Sequence, residues 1–206
     1  MFYWILKTLF GPVVRLIWIK KVEGLENIPK KGAYIVAANH SSYLDFFTLA
    51  AIWPTRIYFL TGEVFFKKWW WYPLVKFTGQ IKVDRNSEDK VQAKQKIFSI
   101  LEKGKVVGIF PEGTRSTDGK IGKTYTGVAK FALGAKVPVV PVGIIGAYDV
   151  MSRHEKRPKF KRFIQIQVGK PLFFEEYYGE VDDEGVVRMV TNKIMEKIIT
   201  LTDPKI

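Results

Sequence analysis

The chain contains no cysteine. That absence excludes disulfides, thiolate metal sites and cysteine nucleophiles. Histidine is almost as scarce: only His40 and His154 occur. His154-Glu155 does not continue to a second histidine, so the zinc-helix pattern is missing. There is no Gly-x-Ser-x-Gly elbow, which removes the usual hydrolase serine. Gly122-Lys123-Thr124 resembles the tail of a P-loop, but the position that requires the earlier glycine is Thr117. No dinucleotide fingerprint occurs. The chain also lacks a long unbroken apolar run. A membrane-spanning helix needs ~20 apolar residues. The most apolar stretch, residues 2–19, carries Lys7 and Arg15 and is interrupted by Gly11-Pro12. It reads as two short helices lying in a lipid–water interface, or packed on the core. No basic segment precedes it and no small-residue cleavage site follows, which argues against a secretory signal.

What is present is positive charge and aromatic surface. The 206 residues hold 33 Lys and Arg against 20 Asp and Glu, a formal net charge of +13, which points to an anionic partner. Hydrophobic residues make up 47%, enough for one substantial core. Trp69, Trp70, Trp71 and Tyr72 adjoin Lys67 and Lys68, and Phe2, Tyr3 and Trp4 lie close to Lys7. Interleaved rings and cations suit a lipid–water interface. They also suit single-stranded nucleic acid, where bases stack on rings.

Along the chain, strands and helices alternate. Apolar runs at 33–38, 56–61, 80–84, 106–110 and 137–144 read as strands, and 163–168 alternates as a half-buried antiparallel strand should. Residues 20–29 read as an edge strand and turn. The two prolines of the 137–144 run, Pro138 and Pro141, argue for an end or edge position. Helices are expected over 46–53, over 64–77 with Pro73 kinking or ending it, over 87–103 capped by Ser87 and stopped by Gly104, over 127–134 and over 183–201. The pattern is α/β: a single domain with a mixed, largely parallel central sheet flanked by helices. Residues 1–20 would form the interfacial segment and 21–206 the domain. There are no internal repeats and no low-complexity segment.

Four stretches hold polar groups where such folds assemble sites, at the ends of strands. The first is Asn39-His40-Ser41-Ser42-Tyr43-Leu44-Asp45, a strand-to-helix turn. Here Ser42 and Asp45 have capping-box spacing. Alternatively, Asp45 holds the His40 imidazole in one tautomer and leaves the other ring nitrogen as a general base. The second is Gly79 to Arg85, where Arg85 could grip a phosphate or pair with Asp84. The third is Phe110-Pro111-Glu112-Gly113-Thr114-Arg115-Ser116. A turn there needs Gly113 but has no need of Glu112 and Arg115 beside it. The fourth is Val137 to Ile144, which could be purely structural.

Taken together, Asn39-His40-x4-Asp45, Gly79–Arg85, Phe110–Ser116 and Val137-Pro138-Val139-Val140-Pro141-Val142 resemble the four ordered motifs of the glycerolipid acyltransferase family. The branch they resemble most is the bacterial 1-acyl-glycerol-3-phosphate acyltransferases. The resemblance runs from about residue 20 to 150. It implies transfer of a fatty acyl group from an acyl thioester, acyl-CoA or acyl carrier protein, to the sn-2 hydroxyl of lysophosphatidic acid. It implies that His40 is the general base and Asp45 its orienting partner. Arg85 would bind the acceptor phosphate. Glu112, Gly113 and Thr114 would shape the acceptor pocket, Arg115 would add a second positive contact, and Pro141 would line the wall near the acyl donor. No metal or bound cofactor is implied. A two-helix N-terminal segment would hold the protein peripherally on an anionic phospholipid membrane at its cytoplasmic face, with no nucleic acid as partner. One departure stands out. The family often has a lysine two residues before a glycine after the third motif. Here that position, before Gly127, is Tyr125, and the nearest lysine is Lys123. The tetrahedral intermediate needs hydrogen-bond donors, and the backbone amides near His40 or Gly113 are the candidates. Other acceptors, such as glycerol-3-phosphate, and a basic nucleic-acid-binding module are the alternative readings.

Overall fold

The computed structural model describes residues 2–69, 72–83 and 89–203. In chain order the elements are α1 (Phe2–Ile17), β1 (Ile19–Glu23), β2 (Tyr34–Ala38), α2 (Leu44–Ile52), β3 (Ile57–Gly62), α3 (Val64–Lys67), α4 (Tyr72–Phe77) and β4 (Ile81–Val83). They continue with α5 (Asp89–Glu102), β5 (Val106–Ile109), α6 (Gly127–Ala135), β6 (Val139–Ile145), α7 (Ala147–Val150), β7 (Ile164–Val168) and α8 (Glu184–Thr202). The seven strands form one sheet in the order β1-β7-β6-β2-β5-β3-β4. Every pairing is parallel except β6 with β7.

Period-two geometry explains the layering. All five residues of β2 are buried, as expected of a strand covered on both faces. Tyr34, Val36 and Ala38 point into one core, with Leu49, Trp53 and Val14. Ile35 and Ala37 point into the other, with Ile97, Leu133 and Ile194 from α5, α6 and α8. The helix α8 starts where Asp183 accepts the N–H of Val186, an N-cap the sequence pattern did not single out. The expected Ser87 cap lies outside the described residues.

Three details differ from the sequence expectation. Residues 2–17 form one helix, not two. Pro12 removes one rung of its ladder, but tertiary contacts carry the helix through. Gly11 packs against Ala51 of α2, Tyr3 and Val14 are buried, and the Lys7 ammonium donates to the Trp53 carbonyl at the end of α2. The 64–77 segment is two helices, not one with a break at Pro73. Lys68 turns extended after α3, and Pro73 takes the second position of α4, where its missing N–H costs no intrahelical bond. Finally, β6 lies inside the sheet between β2 and β7 despite Pro141. The β7 ladder ends at Val142↔Val168 and resumes only as an isolated bridge, Val139↔Leu172. Pro141 falls in that interruption, where no N–H is needed. Its carbonyl still accepts Gly169 N–H at 2.8 Å.

Candidate active site

The Asn39–Asp45 turn leaves the C-terminal end of β2. Asn39 prolongs the sheet beyond the last strand residue: its side chain donates to Ile144 O at 2.9 Å and accepts Ile144 N–H at 2.8 Å. His40 follows, and both of its main-chain groups are held by the 110–116 loop. Its N–H donates to Glu112 Oε1 at 2.7 Å, and its carbonyl accepts Ser116 N–H at 2.8 Å.

The ring of His40 is fixed as tightly. Nδ1 lies 2.8 Å from Asp45 Oδ2. The same oxygen accepts the amides of Ser41 and Ser42, each at 2.8 Å. An oxygen that already accepts two amide protons is a carboxylate acceptor, so Nδ1 carries its hydrogen and Nε2 is left with a lone pair. Asp45 Oδ1 is buried without a hydrogen-bond partner among the described residues. The reciprocal capping box does not form, since Asp45 N–H goes to the Ser42 carbonyl at 3.4 Å, but one Asp45 oxygen holds both the turn amides and the imidazole. Ser42 Oγ accepts Leu44 N–H at 3.1 Å, which tightens the same turn. Phe110 stacks on the imidazole at 4.1 Å and 18°, and Phe46 meets it edge-on at 5.3 Å. Gly108 makes room for this stack. A Cβ there would lie 2.3 Å from the Phe59 ring, which itself stacks on Phe110.

His40 opens onto a cavity of about 980 Å³, at the upper end of ligand-pocket sizes. Tyr43, Phe46, Ala50 and Ala51 of the turn and α2 line it, with Phe65, Leu74 and Val75 beyond them. Its far wall is α1, through Tyr3, Leu6, Lys7 and Gly11. Gly113, Thr114 and Arg115 complete its mouth. Gly113 sits at φ +64°, the left-handed turn that glycine adopts freely. The Arg115 guanidinium lies 3.5 Å above the Tyr43 ring. Its Nη1 is buried without a partner among the described residues. Burial pulls its pKa down, the Tyr43 hydroxyl and Asp45 oppose that, and Arg153 adds to it. Arg153 donates to the Arg115 carbonyl at 3.2 Å.

His40, Asp45, Gly113, Thr114 and Arg115 thus come together as the motifs anticipated. Glu112 does not line the cavity. It is 4% exposed, and its Oε2 accepts Gly122 N–H at 3.2 Å while Oε1 holds His40. Burial raises its pKa, and those two amides partly offset the rise. Pro141 is no cavity wall either: it packs beside Gly169 and Leu201, paired with Ala37 in the sheet. Lys123 is exposed. Arg85 lies outside the described residues. The sequence reading gave Asn39, Tyr43 and Phe46 no role of their own and did not foresee the α1 wall. Asn39 carried a signal, a polar residue at the last position of a buried run. The aromatic contacts carried none, because rings in helices read as ordinary core. The proposed amide donors are also already engaged. His40, Ser41 and Ser42 donate to carboxylates, and Gly113 donates to Phe110 O at 2.9 Å.

Comparison with known proteins gives this geometry a context. The crystal structure of the 1-acyl-sn-glycerophosphate (LPA) acyltransferase PlsC from Thermotoga maritima superposes with a TM-score of 0.77 at 23% identity, covering 97% of this chain and 79% of that one, and this chain so shares its fold. The 1-acyl-sn-glycerol-3-phosphate acyltransferase of Bacillus subtilis is 31% identical over 74% of this chain and 73% of its own length. The probable enzyme of that name from Mycoplasma pneumoniae is 29% identical over 92% and 76%. Chloroplastic relatives from Brassica napus and Arabidopsis thaliana are 28% and 32% identical, and this chain spans less than half their length, 44% and 43%. Residues 20–145 match the family model described as Acyltransferase, a span that takes in His40, Asp45, Glu112 and Arg115, and the chain belongs to that family.

Proposed function

We propose that the protein moves a fatty acyl group from an acyl thioester to the free sn-2 hydroxyl of lysophosphatidic acid, giving phosphatidic acid. The observation that carries this reading is the His40–Asp45 pair at the mouth of an apolar cavity, with the Arg115 guanidinium beside it. Curated relatives named for that reaction support the choice of acceptor. In the proposed step, Nε2 of His40 takes the acceptor hydroxyl proton as the oxygen attacks the thioester carbonyl. Asp45 stabilises the imidazolium. The tetrahedral intermediate then collapses, the C–S bond breaks, and the imidazolium returns its proton to the departing thiolate. The thioester is already activated, so neither a covalent enzyme intermediate nor a metal is part of the scheme.

Among the described residues the loop amides of Thr114 and Arg115 carry no hydrogen bond within the protein, and both residues line the mouth. We assign them to the oxyanion. Arg115 and Arg85 are assigned to the acceptor phosphate, since a guanidinium fork suits phosphate oxygens. The acyl-CoA and acyl carrier protein donors are both compatible with this scheme.

The same reading places the protein peripherally on a membrane, at the cytoplasmic face. No helix among the described residues is long and apolar enough to cross one. Yet α1 is apolar on two opposite sides. Tyr3, Gly11 and Val14 face the domain, while Phe2, Ile5, Leu9, Val13 and Leu16 are exposed. At about 100° per residue those five fall on a single stripe, which supports lipid contact. The deciding experiment is thiol release from acyl-CoA with lysophosphatidic acid, with glycerol-3-phosphate, and with neither. Release that ignores lysophosphatidic acid would overturn the proposal. Release driven by glycerol-3-phosphate would move the acceptor.

A further inference from the structure

Beside the C-terminal end of α1 lies a loop, residues 153–162, that the reaction scheme does not use beyond Arg153. It holds Arg153, Lys156, Arg157, Lys159, Lys161 and Arg162 against a single acid, Glu155. That acid is already engaged: it accepts Ser152 N–H at 2.7 Å and pairs with Lys159 at 3.0 Å. At the tip Phe160 is 83% exposed.

The exposure is not that of a slack loop. Lys159 N–H donates to Val150 O at 2.9 Å, Trp18 Nε1 donates to Lys159 O at 3.0 Å, and Phe163 N–H donates to Trp18 O at 3.0 Å. Arg162 Nε donates to Ile19 O at 2.8 Å. Phe160 is thus presented outward on a fastened scaffold, stacked alongside Trp18 at 6.4 Å and 27°. Trp18 in turn follows Leu16, the last member of the exposed apolar stripe on α1, which is 72% exposed. The Trp18 indole packs partly on the domain core and the Phe160 ring stands out beside it, edged by exposed Arg15, Lys20, Lys156, Arg157 and Lys161. Apolar rings flanked by cations match a bilayer with anionic headgroups. An acidic protein would take the same charges but would leave the outward-facing Phe160 ring without a purpose.

We propose that the 156–162 loop is a second membrane anchor, in which its cations bind anionic lipid headgroups and Phe160 enters the interface beside α1. This deepens the peripheral-membrane reading and takes its orientation from it. The root of the loop then has a consequence for the site. Arg153 holds the Arg115 carbonyl, so docking at 156–162 sets the phosphate-facing guanidinium next to the headgroup layer.

The test uses the full chain, sedimented with vesicles of phosphatidylcholine alone or of phosphatidylcholine with phosphatidylglycerol. Lys156→Gln/Arg157→Gln/Lys161→Gln should weaken binding to the anionic vesicles by about 5-fold per cation, and leave binding to neutral ones little changed. Phe160→Ala should weaken both by about 10-fold. Turnover of acyl-CoA with detergent-dispersed lysophosphatidic acid should persist in each variant. Leu9→Gln/Leu16→Gln is the control for α1. If it releases the protein while the loop variants bind like wild type, the membrane reading stands and the second anchor falls. If none of the variants releases the protein, both fall. Loop variants that keep vesicle binding but lose turnover only with acyl carrier protein as donor would assign the loop to that acidic protein and overturn the lipid anchor. Should the triple variant fail to fold, Phe160→Ala on neutral vesicles decides the same question.

Discussion

Glu112 Oε1 accepts the main-chain N–H of His40 at 2.7 Å, while its Oε2 accepts Gly122 N–H at 3.2 Å. One buried carboxylate therefore ties the histidine turn to two parts of the loop that carries Arg115. Glu112 holds the main chain of His40, whereas among the described residues the acid that touches the imidazole is Asp45.

Replacing His40 with Ala should lower kcat on the order of 10²- to 10⁴-fold, the range for a lost general base. The fold should survive, since His40 is held through its main chain. Asp45→Asn should give a loss of similar size, because a neutral amide replaces the carboxylate against Nδ1. Asp45→Ala should also destabilise the protein, by about 1–3 kcal/mol for each of the Ser41 and Ser42 amides left buried without an acceptor. Steady-state kinetics with thermal melts test all three. Wild-type turnover by a folded His40→Ala protein would end the general-base assignment.

Glu112 gives a pH prediction. Its pKa is raised in the folded protein, chiefly by burial. The folded state therefore binds the Glu112 proton more tightly than the unfolded chain does. The stability this contributes is complete below the ordinary carboxylate range and is lost as pH rises through the raised value. Glu112→Gln cannot ionise, so the Tm of wild type relative to the variant should fall across that window. A relative Tm that rises with pH would contradict the raised value. At any pH, Gln offers no second acceptor to Gly122, so kcat should drop with little change in acceptor KM.

Arg115→Ala should raise the acceptor KM. A hydrogen bond to a charged group contributes about 1.5–3 kcal/mol, which is on the order of 10- to 100-fold. Arg115→Lys should recover only part of this, since an ammonium lacks the planar fork that lies over Tyr43. The same titration on Arg85→Ala tests the second phosphate contact. A change confined to the donor KM would remove either residue from the phosphate site.

Ala51 lines the cavity where α2 packs on Gly11 of α1. Ala51→Phe should fill part of the cavity and shift donor preference toward shorter acyl chains. Each excluded methylene costs about 0.8 kcal/mol of burial, so a few carbons suffice for a 10-fold change in relative kcat/KM. A competition assay with mixed acyl-CoA lengths reads this directly. An unaltered length profile would show that the acyl chain does not occupy this cavity.

Much of the fold was legible before the structure. The strands over 34–38, 57–62 and 106–109 announced themselves as short β-branched or apolar runs, and the alternation of 164–168 marked its half-buried face. His40 and Asp45 could be paired because both lie within one turn, where chain geometry alone limits their separation. Gly113, Thr114 and Arg115 were legible because they follow directly on a buried strand. The contacts of Glu112 were not legible, for the converse reason. Its partners, His40 and Gly122, are set by which strands lie side by side, and no local pattern carries that.

The amino-acid sequence by itself determined the α/β alternation, the basic charge and the residues of the histidine turn, because periodicity, composition and short-range geometry are properties of the chain alone. Only the tertiary structure decided that Pro141 sits inside the sheet, that α1 runs unbroken through Pro12 to wall the cavity, and that one oxygen of Asp45 serves three donors. Each of these depends on contacts between segments far apart in the chain. There a gap in a strand ladder, a helix docking on Ala51 or a buried amide overrides what the local residues prefer.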